Sequence, residues 1–145
     1  MVEAAKPVAF LKALTLEAQA ALHGQQAAID RLPFRVGRES RSPNEGWKKA
    51  DQDRRMGKSA PNNDVYIWEQ TREVYVSREH FLIDQEGGSF RLVDRNSALG
   101  TWVEGQLVGG KRAGGSVQLK SGDVIILGSH LSGFIFKFIA ADGSA

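Results

Sequence analysis

Short apolar or alternating runs, separated by polar and glycine-bearing breaks, recur over most of the chain. Phe90-Arg91-Leu92-Val93, Thr101-Trp102-Val103, Val117-Gln118-Leu119, Val124-Ile125-Ile126-Leu127 and Phe134-Ile135-Phe136-Lys137-Phe138 have the length and composition of strands. Val74-Tyr75-Val76 and His80-Phe81-Leu82-Ile83 are predicted strands of the same kind. Upstream, Val65-Tyr66-Ile67-Trp68, and Ala27-Ala28-Ile29 leading into Phe34-Arg35-Val36, complete the set. Val8 to Leu14 reads as a first strand, with a helix continuing into the next segment as the alternative. Leu16 to Leu22 is different: it is rich in helix formers, follows a candidate cap at Thr15 and stops at Gly24. So short a helix is not stable alone and is expected to pack as an appendage between the first two strands. Short strands at this spacing predict an antiparallel sandwich or barrel.

Composition sharpens that pattern. Twelve of the 16 glycines follow Glu86, which places turns between the later strands. At 145 residues, with 41% hydrophobic and 25% charged residues, the chain reads as one ordinary domain able to bury a core. The absence of cysteine removes disulfides, CxxC redox chemistry and thiolate metal sites, and fits a reducing compartment. No apolar run approaches the roughly 18 residues of a membrane helix. The N-terminus, where Lys6 and Lys12 interrupt a short apolar stretch, does not read as a secretory signal.

The formal net charge of +2 is unevenly distributed. Arg31 to Lys58 holds nine basic and four acidic residues, whereas the rest of the chain is mildly acidic. Most of this cationic stretch falls in 39–62, where Pro43, Asn44, Gly46, Gly57 and Pro61 predict a long inserted loop. Its Lys48, Lys49, Arg54 and Arg55 are candidates to meet an acidic ligand flank. Trp47 within it gives a weaker case for nucleic-acid stacking.

Catalytic patterns fare poorly. Gly57-Lys58-Ser59 ends like a phosphate-binding P-loop, but the glycine required five positions earlier is Gln52. Ser77, His80 and Asp84 suggest a triad only by proximity in sequence, without a nucleophile elbow. His23, His80 and His130 lack metal-ligand spacing. Hydrolase and metalloenzyme readings therefore have little support in the residues, and no cofactor is implied by them.

Four blocks in a fixed order carry the strongest signal: Phe34-Arg35-Val36-Gly37-Arg38; Ser77-Arg78-Glu79-His80-Phe81; Asp94 to Val103; and Leu119-Lys120-Ser121-Gly122-Asp123-Val124-Ile125. Together they resemble the forkhead-associated (FHA) domain, whose pattern runs GR, SRxH, DxxSxNGTxV and LxxGDxI. The resemblance spans about residues 32–139 and implies an all-β sandwich of about eleven strands, here with one short N-terminal helix. It further implies a phosphothreonine-binding edge, partners carrying phosphothreonine, an upstream Ser/Thr kinase and a cytoplasmic, non-membrane setting. A phosphate-independent interaction scaffold is the alternative.

By this resemblance, Arg38 is the main phosphate ligand, the Ser77 hydroxyl donates to a phosphate oxygen, and Arg78 adds a side-chain or backbone donor. Gly37 lets the backbone turn into Arg38, and His80 buttresses the loops. Ser97, Gly100 and Thr101 shape a tight loop whose Ala98 and Leu99 face the peptide, while Gly122 and Asp123 belong to the last structural block. One position departs from the pattern. Leu99 replaces the asparagine that grips the ligand backbone, and its side chain can neither donate nor accept a hydrogen bond. Asn96, three residues upstream, is the candidate substitute, and Leu99 itself offers an apolar contact.

Overall fold

The computed structural model describes residues 6–39, 62–69, 75–129 and 131–141. The chain enters as β1 (Ala9–Ala13), passes through α1 (Leu16–Leu22) and returns as β2 (Gln26–Ile29) and β3 (Phe34–Arg38). After the basic segment come β4 (Val65–Ile67), β5 (Phe81–Glu86) and β6 (Ser89–Asp94). The remainder is β7 (Thr101–Val103), β8 (Gln106–Val108), β9 (Gly115–Leu119), β10 (Val124–Leu127) and β11 (Ile135–Ala140).

These strands form two sheets, ordered β2-β1-β11-β10-β7-β8 and β4-β3-β5-β6-β9. Burial alternates residue by residue along β6 and β11, so each sheet turns one face inward. Leu11, Ile125, Leu127, Phe136 and Phe138 of the first sheet meet Val36, Phe81, Ile83, Leu92 and Leu119 of the second in one core. The Phe90 and Phe138 rings pack edge to face across it, with centroids 4.9 Å apart. The sandwich reading therefore holds, and Val8–Leu14 resolves as strand, not helix.

α1 forms where the pattern places it. The Thr15 hydroxyl accepts from the Ala18 amide at 3.1 Å, capping the first turn. The helix closes at His23 (φ 57°), one residue before the expected Gly24. Ala18 and Ala21 are its buried face.

Three details differ from expectation. β3 and β4 pair in parallel, with Val36 opposite Val65, so the sheet is not wholly antiparallel. The stretch between them, 39–64, is long enough for the crossover that a parallel pair requires. Tyr75 and Val76 lie outside any strand because their amides donate to the Glu69 carboxylate. His80 also lies outside, one residue before β5, although its amide reaches the Val36 carbonyl of β3. Conversely, β8 is a strand that its short, half-exposed Gln106-Leu107-Val108 did not advertise. It follows Glu104 (φ 48°) and Gly105 (φ 80°), a tight hairpin turn with both central residues left-handed.

The predictions that concern Trp47, Lys48, Lys49, Arg54, Arg55, the Gly57-Lys58-Ser59 stretch, Val74 and His130 lie outside the described residues. Among the described residues, no helix is long and apolar enough to cross a membrane.

Candidate functional site

β3 brings Arg38 to one end of the second sheet, where the 75–80 segment crosses it. The Arg38 amide donates to the Ser77 carbonyl at 2.9 Å, and the His80 amide donates to the Val36 carbonyl at 3.0 Å. The two segments approach so closely that Gly37 has no room for a side chain. A Cβ there would overlap the Arg78 carbonyl and stand 2.5 Å from Asn63 Nδ2. Gly37 is thus required for close approach and not, as expected, for a turn, since it lies within β3 with no left-handed φ.

The Arg38 guanidinium is aimed by the backbone of the 75–80 segment. Nε donates to the Val76 carbonyl at 2.8 Å, leaving the terminal Nη groups without a protein partner among the described residues. Ser77 is fixed from both sides: its amide donates to His80 Nδ1 at 2.9 Å, and its hydroxyl oxygen accepts from the Ala98 amide at 3.0 Å. A hydroxyl that accepts one bond still has its proton to donate. The exposed Arg78 is held by its carbonyl, which accepts from Asn63 Nδ2 at 2.8 Å.

His80 is fully buried and works as a brace. With Nδ1 accepting from Ser77, the proton belongs on Nε2, which donates to the Gly100 carbonyl at 2.8 Å. Desolvation by burial holds its pKa below the usual 6.5, outweighing the opposing pull of Gly100 and Asp94, so the ring is neutral. This disposes of the triad: Asp84 pairs with Arg91 at 2.8 Å on the β5–β6 ladder, away from His80.

The loop from Asp94 to Thr101 is built around one buried carboxylate. Asp94 accepts from the Ser97 amide (2.9 Å), the Ser97 hydroxyl (2.6 Å) and the Thr101 hydroxyl (2.8 Å). The Ser97 hydroxyl oxygen in turn accepts from the Gly100 amide at 2.9 Å. Gly100 takes φ +91°, and Leu107 Cδ1 would stand 2.6 Å from any Cβ it carried. These bonds tie Ser97, Gly100 and Thr101 into the loop and leave Ala98 and Leu99 exposed to solvent.

Arg38, Ser77, Arg78, Asn96, Ala98 and Leu99 all line a single open pocket of about 630 Å³. Leu99 is 44% exposed at its edge. Asn96, in the left-handed region at φ 61°, lays its Oδ1 against Gly114, where a Cβ would stand 2.6 Å away. Gly122 and Asp123 are elsewhere, in the β9–β10 turn, where the Asp123 carboxylate accepts from the Lys120 amide at 2.8 Å.

Among the lining residues that escaped sequence reasoning, two are cationic, Arg95 and Arg112. Arg95 donates to Asn63 Oδ1 at 2.8 Å and pairs with Glu79 at 3.1 Å. It thereby supports Asn63, which positions Arg78; desolvation is the main cause of its lowered pKa. Arg112 enters from the β8–β9 loop. Its signal was present as Lys111-Arg112 bracketed by Gly109-Gly110 and Gly114-Gly115, a cationic tip on a tight turn. Among the described residues, no three His, Asp or Glu side chains gather as a metal site.

No curated protein matches the sequence. Among solved structures, an FHA domain of an Arabidopsis thaliana hypothetical protein superposes with TM-score 0.59 at 18% identity, over 100% of this chain and 95% of that one. Mycobacterium tuberculosis EmbR, solved with a low-affinity phosphopeptide, gives 0.56 at 20% identity over 97% of this chain. The chain spans only 25% of the EmbR chain. An FHA domain studied for phosphothreonine-dependent interactions gives 0.52 at 20% identity, over 90% of this chain and 94% of that one. At such identities these likenesses establish the fold. The sequence model of the FHA domain covers residues 54–128, a span that holds the Ser77–His80 and Asp94–Thr101 blocks. On that match, the chain belongs to the FHA domain family.

Proposed function

We propose that this chain is a phosphothreonine-binding module that recruits phosphorylated partners of a Ser/Thr kinase in the cytoplasm, without catalytic activity of its own. The observation that carries this reading is the convergence of Arg38, Ser77 and Arg78 on one open pocket. A phosphothreonine brings a charge of about −1.5 to −2 and three strong acceptor oxygens. Arg38 supplies a fork of donors, Ser77 a hydroxyl proton, and Arg78 a second cation. The relatives that bind phosphopeptides, or interact through phosphothreonine, share the fold and support the reading.

Three charge-assisted bonds at roughly 1.5 kcal/mol each favour the phosphorylated over the bare peptide by about 10³-fold. Leu99 removes the amide that would hold the peptide backbone, at a cost of about 1 kcal/mol, so micromolar-class binding is expected. The test is calorimetric titration of the chain with a phosphothreonine peptide library and its unphosphorylated counterpart. Phosphate-dependent binding that Arg38→Ala and Ser77→Ala each abolish or cut at least tenfold is the expected result. Binding of unphosphorylated partners alone would replace this reading with the phosphate-independent scaffold.

A further inference from the structure

The pocket holds more positive charge than one phosphate requires. Four arginines line it, Arg38, Arg78, Arg95 and Arg112. Arg95 is committed to Glu79 and Asn63. Arg38 and Arg78 together match the roughly two negative charges of a phosphothreonine. Arg112, exposed and without a side-chain hydrogen bond among the described residues, is the surplus.

Its placement is not casual. The Arg112 amide donates to the Ser97 carbonyl at 3.0 Å and the Lys111 amide to the Ala98 carbonyl at 2.8 Å. Ala98 is the residue whose amide holds the Ser77 hydroxyl. The β8–β9 tip is therefore pinned to the loop that also positions the phosphate donors. Lys111 (φ 52°) and Arg112 (φ 60°) both occupy the left-handed region, which disfavours residues with a Cβ. The same loop uses glycine at Gly109, Gly110, Gly114 and Gly115, yet carries cations at its two tip positions. Strain of this kind concentrates where a side chain has a ligand to meet.

Resting on the phosphothreonine reading, we propose that Arg112 makes this pocket selective for peptides bearing a second anionic side chain, carboxylate or phosphate, close to the phosphothreonine. The second anion reaches the β8–β9 tip while the phosphothreonine occupies Arg38 and Ser77. It supplies on the ligand side part of the hold that Leu99 cannot give to the peptide backbone.

The experiment measures fluorescence anisotropy of the full chain with three peptide sets. One is a phosphothreonine peptide with alanine flanks, one moves a glutamate through each flanking position, and one moves a phosphoserine the same way. At one or two adjacent positions, glutamate should tighten binding by about fivefold, an effect that shrinks with added salt. Phosphoserine there should tighten it further. In Arg112→Gly these preferences should disappear. Glycine suits φ 60° without strain, so this variant should keep its unfolding midpoint. The proposal is overturned if phosphothreonine dependence holds but no flanking position responds. It is equally overturned if the response survives in Arg112→Gly, or if that variant weakens every phosphopeptide alike. Loss of phosphate dependence in every peptide set would instead overturn the underlying phosphothreonine reading.

Discussion

A single methyl group at Gly37 would collide with the Arg78 carbonyl and the Asn63 amide, so this one position couples stability to the binding edge. Gly37→Ala should cost about 2–3 kcal/mol, because both atoms it meets are tied by hydrogen bonds and cannot withdraw cheaply. Chemical denaturation reads the loss, and phosphopeptide affinity should fall with it, since Arg78 must shift. Leu99 tests the opposite direction. It is 44% exposed, its side chain can make no hydrogen bond, and the loop is held by its neighbours Ser97 and Gly100, so replacement should leave the loop unchanged. Leu99→Asn should tighten phosphopeptide binding several-fold, the worth of about 1 kcal/mol for a restored amide contact, with an unaltered unfolding midpoint. At this scale, the candidate residues with fixed neighbours were legible in the sequence. Ser77, His80 and Gly100 stand at set spacings within their blocks, whereas Arg95 and Asn63 matter through a contact that spans 32 positions and leaves no local trace.

The elements were legible wherever apolar residues alternate or run unbroken over four or more positions, as in β6, β10 and β11. Sequence reading faltered where the hydrogen bonds of a segment go to loops and side chains. Tyr75-Val76 has strand composition, but both amides are capped by the Glu69 carboxylate, at 2.8 and 3.1 Å, in place of a ladder partner. β8 is the converse, a strand defined by pairing with β7 and not by its own residues. Among the loops, Asp94–Thr101 has the most to lose from one change. Asp94→Ala would strand the Ser97 amide and hydroxyl and the Thr101 hydroxyl, all buried, with no acceptor. Each such orphaned group costs about 1–3 kcal/mol, so the variant should lose about 3–5 kcal/mol and its phosphopeptide binding. Thermal unfolding and titration together check this. An equal change in the distant β9–β10 turn, Asp123→Ala, should lower stability while leaving affinity intact.

Across the whole molecule, pH acts on the fold and on the ligand by separate groups. His80 is neutral because burial lowers its pKa below its unfolded value of about 6.5. Below pH 6.5 the unfolded chain takes up a proton that the folded chain resists, so stability is full above that value and declines as pH falls towards the folded pKa. Asp64 adds a second, more acidic step. Desolvation is its largest single influence and pushes its pKa up, but hydrogen bonds from the Arg35 side chain and backbone prevail and hold it below 3.8. Its contribution is present above the unfolded value near 3.8 and is lost as pH falls through the lower folded value. Urea unfolding followed from pH 8 to pH 3 should therefore show a plateau down to about pH 6.5 and a falling limb beneath it. His80→Gln keeps a neutral donor and acceptor but cannot titrate, so it should lower the plateau and flatten the limb just below about pH 6.5. Phosphopeptide affinity should decline over the same range for a different reason, since the second pKa of the phosphate lies near 6 and protonation halves its charge. The decline in affinity should persist in His80→Gln while the stability limb just below about pH 6.5 disappears and the more acidic Asp64 step remains. A limb just below about pH 6.5 that survives the substitution would assign it to another group and remove His80 as the fold's acid-sensitive brace.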